Sequence, residues 1–156
     1  MESDWPEKQK SAGRRKLREA VFKVLFSVDF GNRNDTNEIG LILSSLTEEE
    51  GGQFTGLEQE IVHYIESIYA HLEEIDEIIK LNILNWSWER LVAVDKSILR
   101  LATYELLYEK RVPIEVSLNE AVEIAKAYGT EKSGKFVNGI LDVIAKKYSS
   151  EEKRAL

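Results

Sequence analysis

Gly129-Thr-Glu-Lys-Ser-Gly134-Lys135-Phe136 comes within one residue of a phosphate-binding loop. In the G-x-x-x-x-G-K spacing, backbone N–H groups cradle phosphates and the lysine reaches the outer ones. A hydroxyl must follow to hold Mg²⁺, and a buried strand must feed the loop. Here Phe136 stands at the hydroxyl position, and the preceding A-V-E-I-A-K-A-Y has helical periodicity. No apolar strand ending in Asp follows to hold the metal. The segment reads as helix, turn, helix. Other catalytic chemistry is equally thin. There is no cysteine and no serine in a G-x-S-x-G setting. His63 and His71 lie eight apart without zinc-type spacing, as two solvent-edge histidines on one helix. Glu105, among apolar residues in L-A-T-Y-E-L-L, is either a buried acid or the ion-pair partner of an arginine such as Arg100. Neither an enzyme, a metal site nor a cofactor is expected.

What the chain does offer is localised positive charge. Between Lys8 and Lys23 seven basic residues face one acid, so that stretch carries +6 within a chain of net charge −7. Binding of a polyanion depends on the field at one patch and not on the sum. Arg14, Arg15, Lys16 and Arg18 are its dense part, interleaved with Phe22 and Phe26. The bland alternative is a solvated basic arm. A second mixed edge lies at Lys132, Lys135, Phe136 and Asn138, beside the apolar stripe of the last long helix. Lysines that hold phosphates and aromatics that stack on bases are the chemistry of single-stranded RNA recognition. Phe136 has two readings at this point, a stacking platform or a core-edge residue.

These residues need helices to position them. Residues 1–12 read as a polar tail. A helix then starts near Arg14, with Leu17, Ala20, Val21, Val24, Leu25 and Val28 on one stripe. Ile39, Ile42, Leu43 and Leu46 mark a short helix, and Glu48 to Gln53 an acidic loop. Thr55 and Glu58 have capping-box spacing ahead of one long helix through Leu57, Ile61, Ile65, Ile68, Leu72, Ile75 and Ile79. Asn85-Trp-Ser-Trp marks a junction, with Ser87 as a cap, and Asp95 opens the next helix. Arg111 to Val116 is extended around Pro113. Ser117 and Glu120 form a capping box, Gly129 suits a left-handed helix end, and Thr130 caps the last helix. That helix carries Val137, Ile140, Leu141, Ile144 and Tyr148 on one face. The expected fold is all-α, with about seven helices in two packed bundles. An N-terminal bundle spans about 14–80 and a C-terminal bundle about 86–148, within one helical domain of residues 13–156. No apolar run approaches a membrane span, and M-E-S-D-W-P is not a signal peptide, so a cytoplasmic protein is expected.

Four segments carry a family resemblance. R-R-K-L-R-E-A-V-F-K-V-L-F (14–26), V-D-K-S-I-L-R-L-A-T-Y-E-L-L (94–107), V-P-I-E-V-S-L-N-E-A-V-E-I-A-K (112–126) and Y-G-T-E-K-S-G-K-F-V-N-G-I-L-D (128–142) resemble the bacterial antitermination factor family NusB. The resemblance covers residues 14 to about 148. It implies two helical bundles, no enzymatic activity and a role in transcription antitermination of ribosomal RNA operons. The implied partners are boxA RNA, NusE (a small-subunit ribosomal protein that doubles as a transcription factor) and the RNA polymerase antitermination complex. RNA contact is implied for the arginine-rich Arg14, Arg15, Lys16 and Arg18, and for Lys132, Lys135, Phe136 and Asn138. NusE contact is implied for Phe26, where relatives often have tyrosine, and for Asp95. Lys132 stands where some relatives are acidic. Two other classes remain open: a recognition appendage of the kind fused to RNA cytosine methyltransferases, and a protein scaffold using the Phe22/Phe26 face, which would also serve a homodimer.

Incubated with ATP or GTP and Mg²⁺, the purified protein is expected to release no phosphate above blank. Turnover abolished by Lys135→Ala would reverse the reading of the glycine-rich turn.

Overall fold

The computed structural model describes the backbone of residues 7–30 and 57–156, with the side chains of 14–29 in the first stretch. Every regular element among these residues is a helix. In chain order they are α1 (Glu7–Phe30), α2 (Glu58–Ala70), α3 (Leu72–Asn82), a 3₁₀ turn (Trp88–Arg90), α4 (Ala93–Tyr108), α5 (Ile114–Tyr128), α6 (Ser133–Tyr148) and the short α7 (Glu151–Arg154). α1 starts seven residues ahead of Arg14, inside the stretch expected as a tail. Its first residues are good helix formers and nothing breaks them from the apolar stripe. That stripe, Leu17 to Val28, is buried as expected, and Phe22 is buried with it instead of lying on a flanking face. The expected helix around Ile39 to Leu46, the acidic loop and Thr55 lie outside the described residues.

The chain divides into two compact units, Met1–Ser67 and Ile68–Leu156. The boundary falls inside α2, upstream of the junction expected between 80 and 86. The reason is α3, which buries Ile75, Ile78 and Ile79 and packs on α4 and α6. The single long helix expected over Leu57 to Ile79 is two helices, broken at His71 (φ −113°, ψ 15°). The apolar stripe continues across the break, so periodicity alone does not register it. At the break the His71 ring stacks on Tyr108, with centroids 4.0 Å apart.

α4 is the centre of the second unit and packs on α3, α5 and α6. Nine of its residues, from Ser97 to Leu106, are buried, and they cover more than one face, as a helix enclosed on several sides requires. Arg100 forks onto Asp76 of α3, Nε to Oδ1 at 2.8 Å and Nη2 to Oδ2 at 3.0 Å. Glu105, 1% exposed, accepts from the Ser117 hydroxyl at 3.1 Å, and the cation near it is Lys153. That ammonium, buried by α7, donates to the backbone carbonyls of Glu105 and Glu109, closing the C-terminal end of α4. Burial pushes its pKa down, and the charges of Glu105 and Glu109 oppose that shift.

Three helix ends differ from their expected caps. α5 starts at Ile114, directly after Pro113 (φ −61°, ψ 148°), so the extended stretch is shorter than expected. Ser117 sits in the first turn with its hydroxyl committed to Glu105 and caps nothing. Gly129, which closes α5, is extended (φ −97°, ψ −165°) and not left-handed. Its glycine is needed for space. A Cβ there would stand 2.6 Å from Ser133 Cβ and Oγ and 2.8 Å from the Ala125 carbonyl oxygen. Thr130 is no side-chain cap either, since its N–H donates to Ser133 Oγ at 3.0 Å. Gly129→Ala is therefore expected to lower stability by about 1–3 kcal/mol, read as a loss of melting temperature without loss of helical circular dichroism at low temperature.

Candidate nucleic-acid interface

The tight turn at Gly129 sets how α6 leaves it, and helical period does the rest. Ser133 and Val137 are buried against the second unit's core. Lys132, Lys135 and Asn138 are consequently exposed, and Phe136 is half-buried. The Phe136 ring meets Trp86 edge-on, with centroids 5.7 Å apart at 70°. Trp86 itself is 55% exposed. Together with Arg90, Leu91, Val92 and Asp95 they line a mainly apolar groove of about 650 Å³ rimmed by Lys132 and Lys135. Lys135 also borders a second groove, lined by Asn119, Asn138 and Lys126. Lys135 is thus shared by an aromatic groove and an amide-lined one.

Asp95 lies in the first turn of α4, where a carboxylate meets the positive end of the helix dipole. Its Oδ1 is buried with no hydrogen-bond partner among the described residues. Burial pushes its pKa above the ordinary 3.8, and a hydrogen bond from Ser133 works the other way. The Ser133 hydroxyl therefore links the Gly129 turn to the groove wall: it accepts from Thr130 N–H and donates to Asp95.

α1 belongs to the first unit and is described separately. Arg15 and Lys16 are exposed, and Arg14 is ion-paired with Glu60 of α2. Arg18 is set apart from these three, being only 3% exposed. A long side chain one turn after Arg14 and next to Leu17 falls on the buried stripe, which residue type alone does not reveal. Phe26 is half-buried, its ring stacked on Phe22 at 6.2 Å. The structure thus gathers Asp95, Lys132, Lys135 and Phe136 at one groove, with Asn138 at its neighbour. The arginine-rich residues form a separate group on α1.

Sequence reasoning missed Trp86. Asn85-Trp-Ser-Trp was legible only as a junction, yet its two tryptophans differ. Trp88 is enclosed by Lys80, Lys96 and Arg100, whose charged ends lie 4.7–5.3 Å from its ring centroid. Trp86 belongs to no apolar stripe and lies open beside Phe136. An aromatic outside every helical stripe is the signal that would have found it.

Comparison with known proteins decides the family. The sequence model described as the NusB family matches residues 15–146. The chain belongs to the NusB family. A transcription antitermination protein NusB from Pseudothermotoga lettingae is 54% identical over 90% of this chain and 96% of that protein. Its counterpart from Thermotoga maritima is 48% identical over 90% and 95%. A solved structure of T. maritima NusB superposes with TM-score 0.79 at 46% identity, covering 92% of this chain and 97% of that one. A structure of the antitermination factors NusB and NusE in complex with dsRNA superposes with TM-score 0.76 at 31% identity, covering 88% and 98%. The all-helical NusB fold places the aromatic groove on the second unit.

The raised pKa of Asp95 gives a pH test. A carboxyl with a raised folded-state pKa adds stability below its ordinary 3.8, and that stability is lost as pH rises through the folded value. Near neutral pH, Asp95→Asn is therefore expected to raise stability by about 1 kcal/mol. The gain over wild type should close as the pH of the melts is lowered toward 3.8.

Proposed function

We propose that this protein is an RNA-binding transcription antitermination factor that works by binding and not by catalysis. The observation that carries the reading is the open Trp86–Phe136 pair rimmed by Lys132 and Lys135. Edge-on rings beside a mainly apolar groove suit unstacked bases, and the flanking ammonium groups suit the phosphates between them. Membership of a family with a relative solved together with NusE and RNA supports the same chemistry. The RNA is the single-stranded boxA element of ribosomal RNA operon leaders, and NusE is the protein partner. The assembled factors help RNA polymerase read through terminators in the cytoplasm.

Roles divide by chemistry. Arg15 and Lys16, exposed on α1, neutralise phosphates, and Arg14 joins them by exchanging Glu60 for RNA. Arg18 holds the helix from its buried side. Phe136 and Trp86 stack bases, and Asn138 offers its amide to a base edge. Phe26 presents a ring to NusE without the hydroxyl that tyrosine would add. Asp95 keeps a desolvated carboxylate oxygen for a NusE donor, so the group that costs the isolated fold stability is the one that rewards assembly.

Salt dependence separates the two RNA surfaces. For a single strand the log–log salt slope is about −0.7 per phosphate contact. Changing Arg15 and Lys16 together to alanine is expected to flatten the slope by about 1.4, equally for boxA and scrambled RNA. Phe136→Ala should leave the slope alone and weaken binding by about 1–3 kcal/mol at an unchanged melting temperature. Fluorescence anisotropy across a salt series measures both. Intact affinity in a folded Phe136→Ala protein would remove the aromatic groove from the site.

A further inference from the structure

Three glycines punctuate the turn and the first half of α6, and lack of room accounts for one. Gly129 has no room for a Cβ. Gly134 backs onto α5, where a Cβ would rest in ordinary contact with Val122 Cγ1 at 3.7 Å. Gly139 is different. It lies in the middle of α6 and is exposed, and a Cβ built there meets nothing within 4 Å. A glycine inside a helix destabilises it relative to alanine, and no neighbour among the described residues requires one here.

We infer that Gly139 is a notch through which the ribose of a bound RNA strand reaches the backbone of α6. A helical side chain covers the turn on its N-terminal side. Its absence at 139 uncovers the carbonyls one turn back, at Lys135 and Phe136. Those carbonyls have a second lone pair beyond their helical hydrogen bonds, and a ribose 2′-hydroxyl can donate to it. Lys135 and Phe136 are also the residues at the aromatic groove, so phosphate, base and ribose would be met within one turn of α6. The rim favours a nucleic acid over an apolar protein surface: Lys135 and Asn138 are exposed on it, and Asp142 is neutralised by Lys146 at 2.9 Å. The 2′-hydroxyl is the group by which a protein tells RNA from DNA. The notch therefore makes this surface selective for RNA. This inference rests on the RNA-binding reading above and adds the group that is recognised.

Gly139→Ala and Gly139→Leu test it, with a labelled boxA RNA oligonucleotide and its 2′-deoxy counterpart as probes, in the presence and absence of NusE. Gly139→Ala is expected to melt about 2–4 °C above wild type, since the substitution relieves an internal cost. Its RNA affinity should fall about tenfold, the loss of one hydrogen bond made to a ligand. Affinity for the deoxy probe should stay within twofold of wild type, so the preference for RNA collapses. Gly139→Leu should bind RNA more weakly still. Unchanged RNA affinity in both variants would overturn the inference and leave the RNA-binding reading standing. Equal loss on the RNA and deoxy probes would also overturn it, as would a lowered melting temperature, which would give Gly139 an internal role. Loss of NusE binding with RNA binding intact would assign the notch to protein and overturn it as well. A wild-type protein that binds neither probe would remove the RNA-binding reading and this inference together.

Discussion

The second unit depends on the enclosure of α4. A helix covered on several sides gives its buried polar groups little access to water, so most are met from within the chain; among the described residues Asp95 Oδ1 and Thr103 Oγ1 are not. Glu105 is met by Ser117, and the carbonyls of Glu105 and Glu109 by the Lys153 ammonium. Each of these contacts fixes a different element. Ser117 ties the start of α5 to the last turn of α4, and Lys153 ties α7 to the same end of α4. Buried polar contacts of this kind add less stability than geometry, because desolvation offsets much of their attraction.

The same enclosure shapes the groove. With α4 covered on its other sides by α3, α5 and α6, its first turn is where the Gly129 turn and α6 come close to it. Gly129 admits Ser133 to a distance no other residue allows, and Ser133 then meets Asp95. The orientation of Phe136, three residues on, follows from that contact. Lys132 and Lys135 rim the groove because the faces of α6 that point inward are already taken by Ser133, Val137 and Ile140. The site is thus an edge left by core packing, decorated with cations and rings. Its lining sets these cations and rings beside the carboxylates of Asp95 and Glu131.

Stability and binding pull against each other at two places. Asp95 carries a desolvated oxygen that nothing among the described residues satisfies. Gly139 stands in the middle of α6 with no gain to the fold among the described residues. Local choices that disagree with the fold tend to mark sites where a partner completes the arrangement. Both positions lie within the helices that frame the groove.

Much of this was legible in the residues alone. Helical stripes at Leu17 to Val28 and Val137 to Ile144 identified buried faces, because burial of a helix requires apolar residues at its own period. The four motif segments named the family, and the Phe136 substitution dismissed the phosphate loop. Lys135, Phe136 and Asn138 were singled out because they fall beside a stripe and not on it. What sequence could not decide was set by contacts distant along the chain. The break at His71 preserves the periodicity that surrounds it. Ser117 matches a capping box equally well whether its hydroxyl turns to the backbone or, as here, to Glu105 twelve residues earlier. Arg18 and Trp86 run against their residue types, the cation buried and the indole open, since composition says what a side chain prefers and only packing says what room is left. Gly129 was read as a conformational residue and proved a steric one, because φ is local while the space beside Ser133 exists only once α5 and α6 have met.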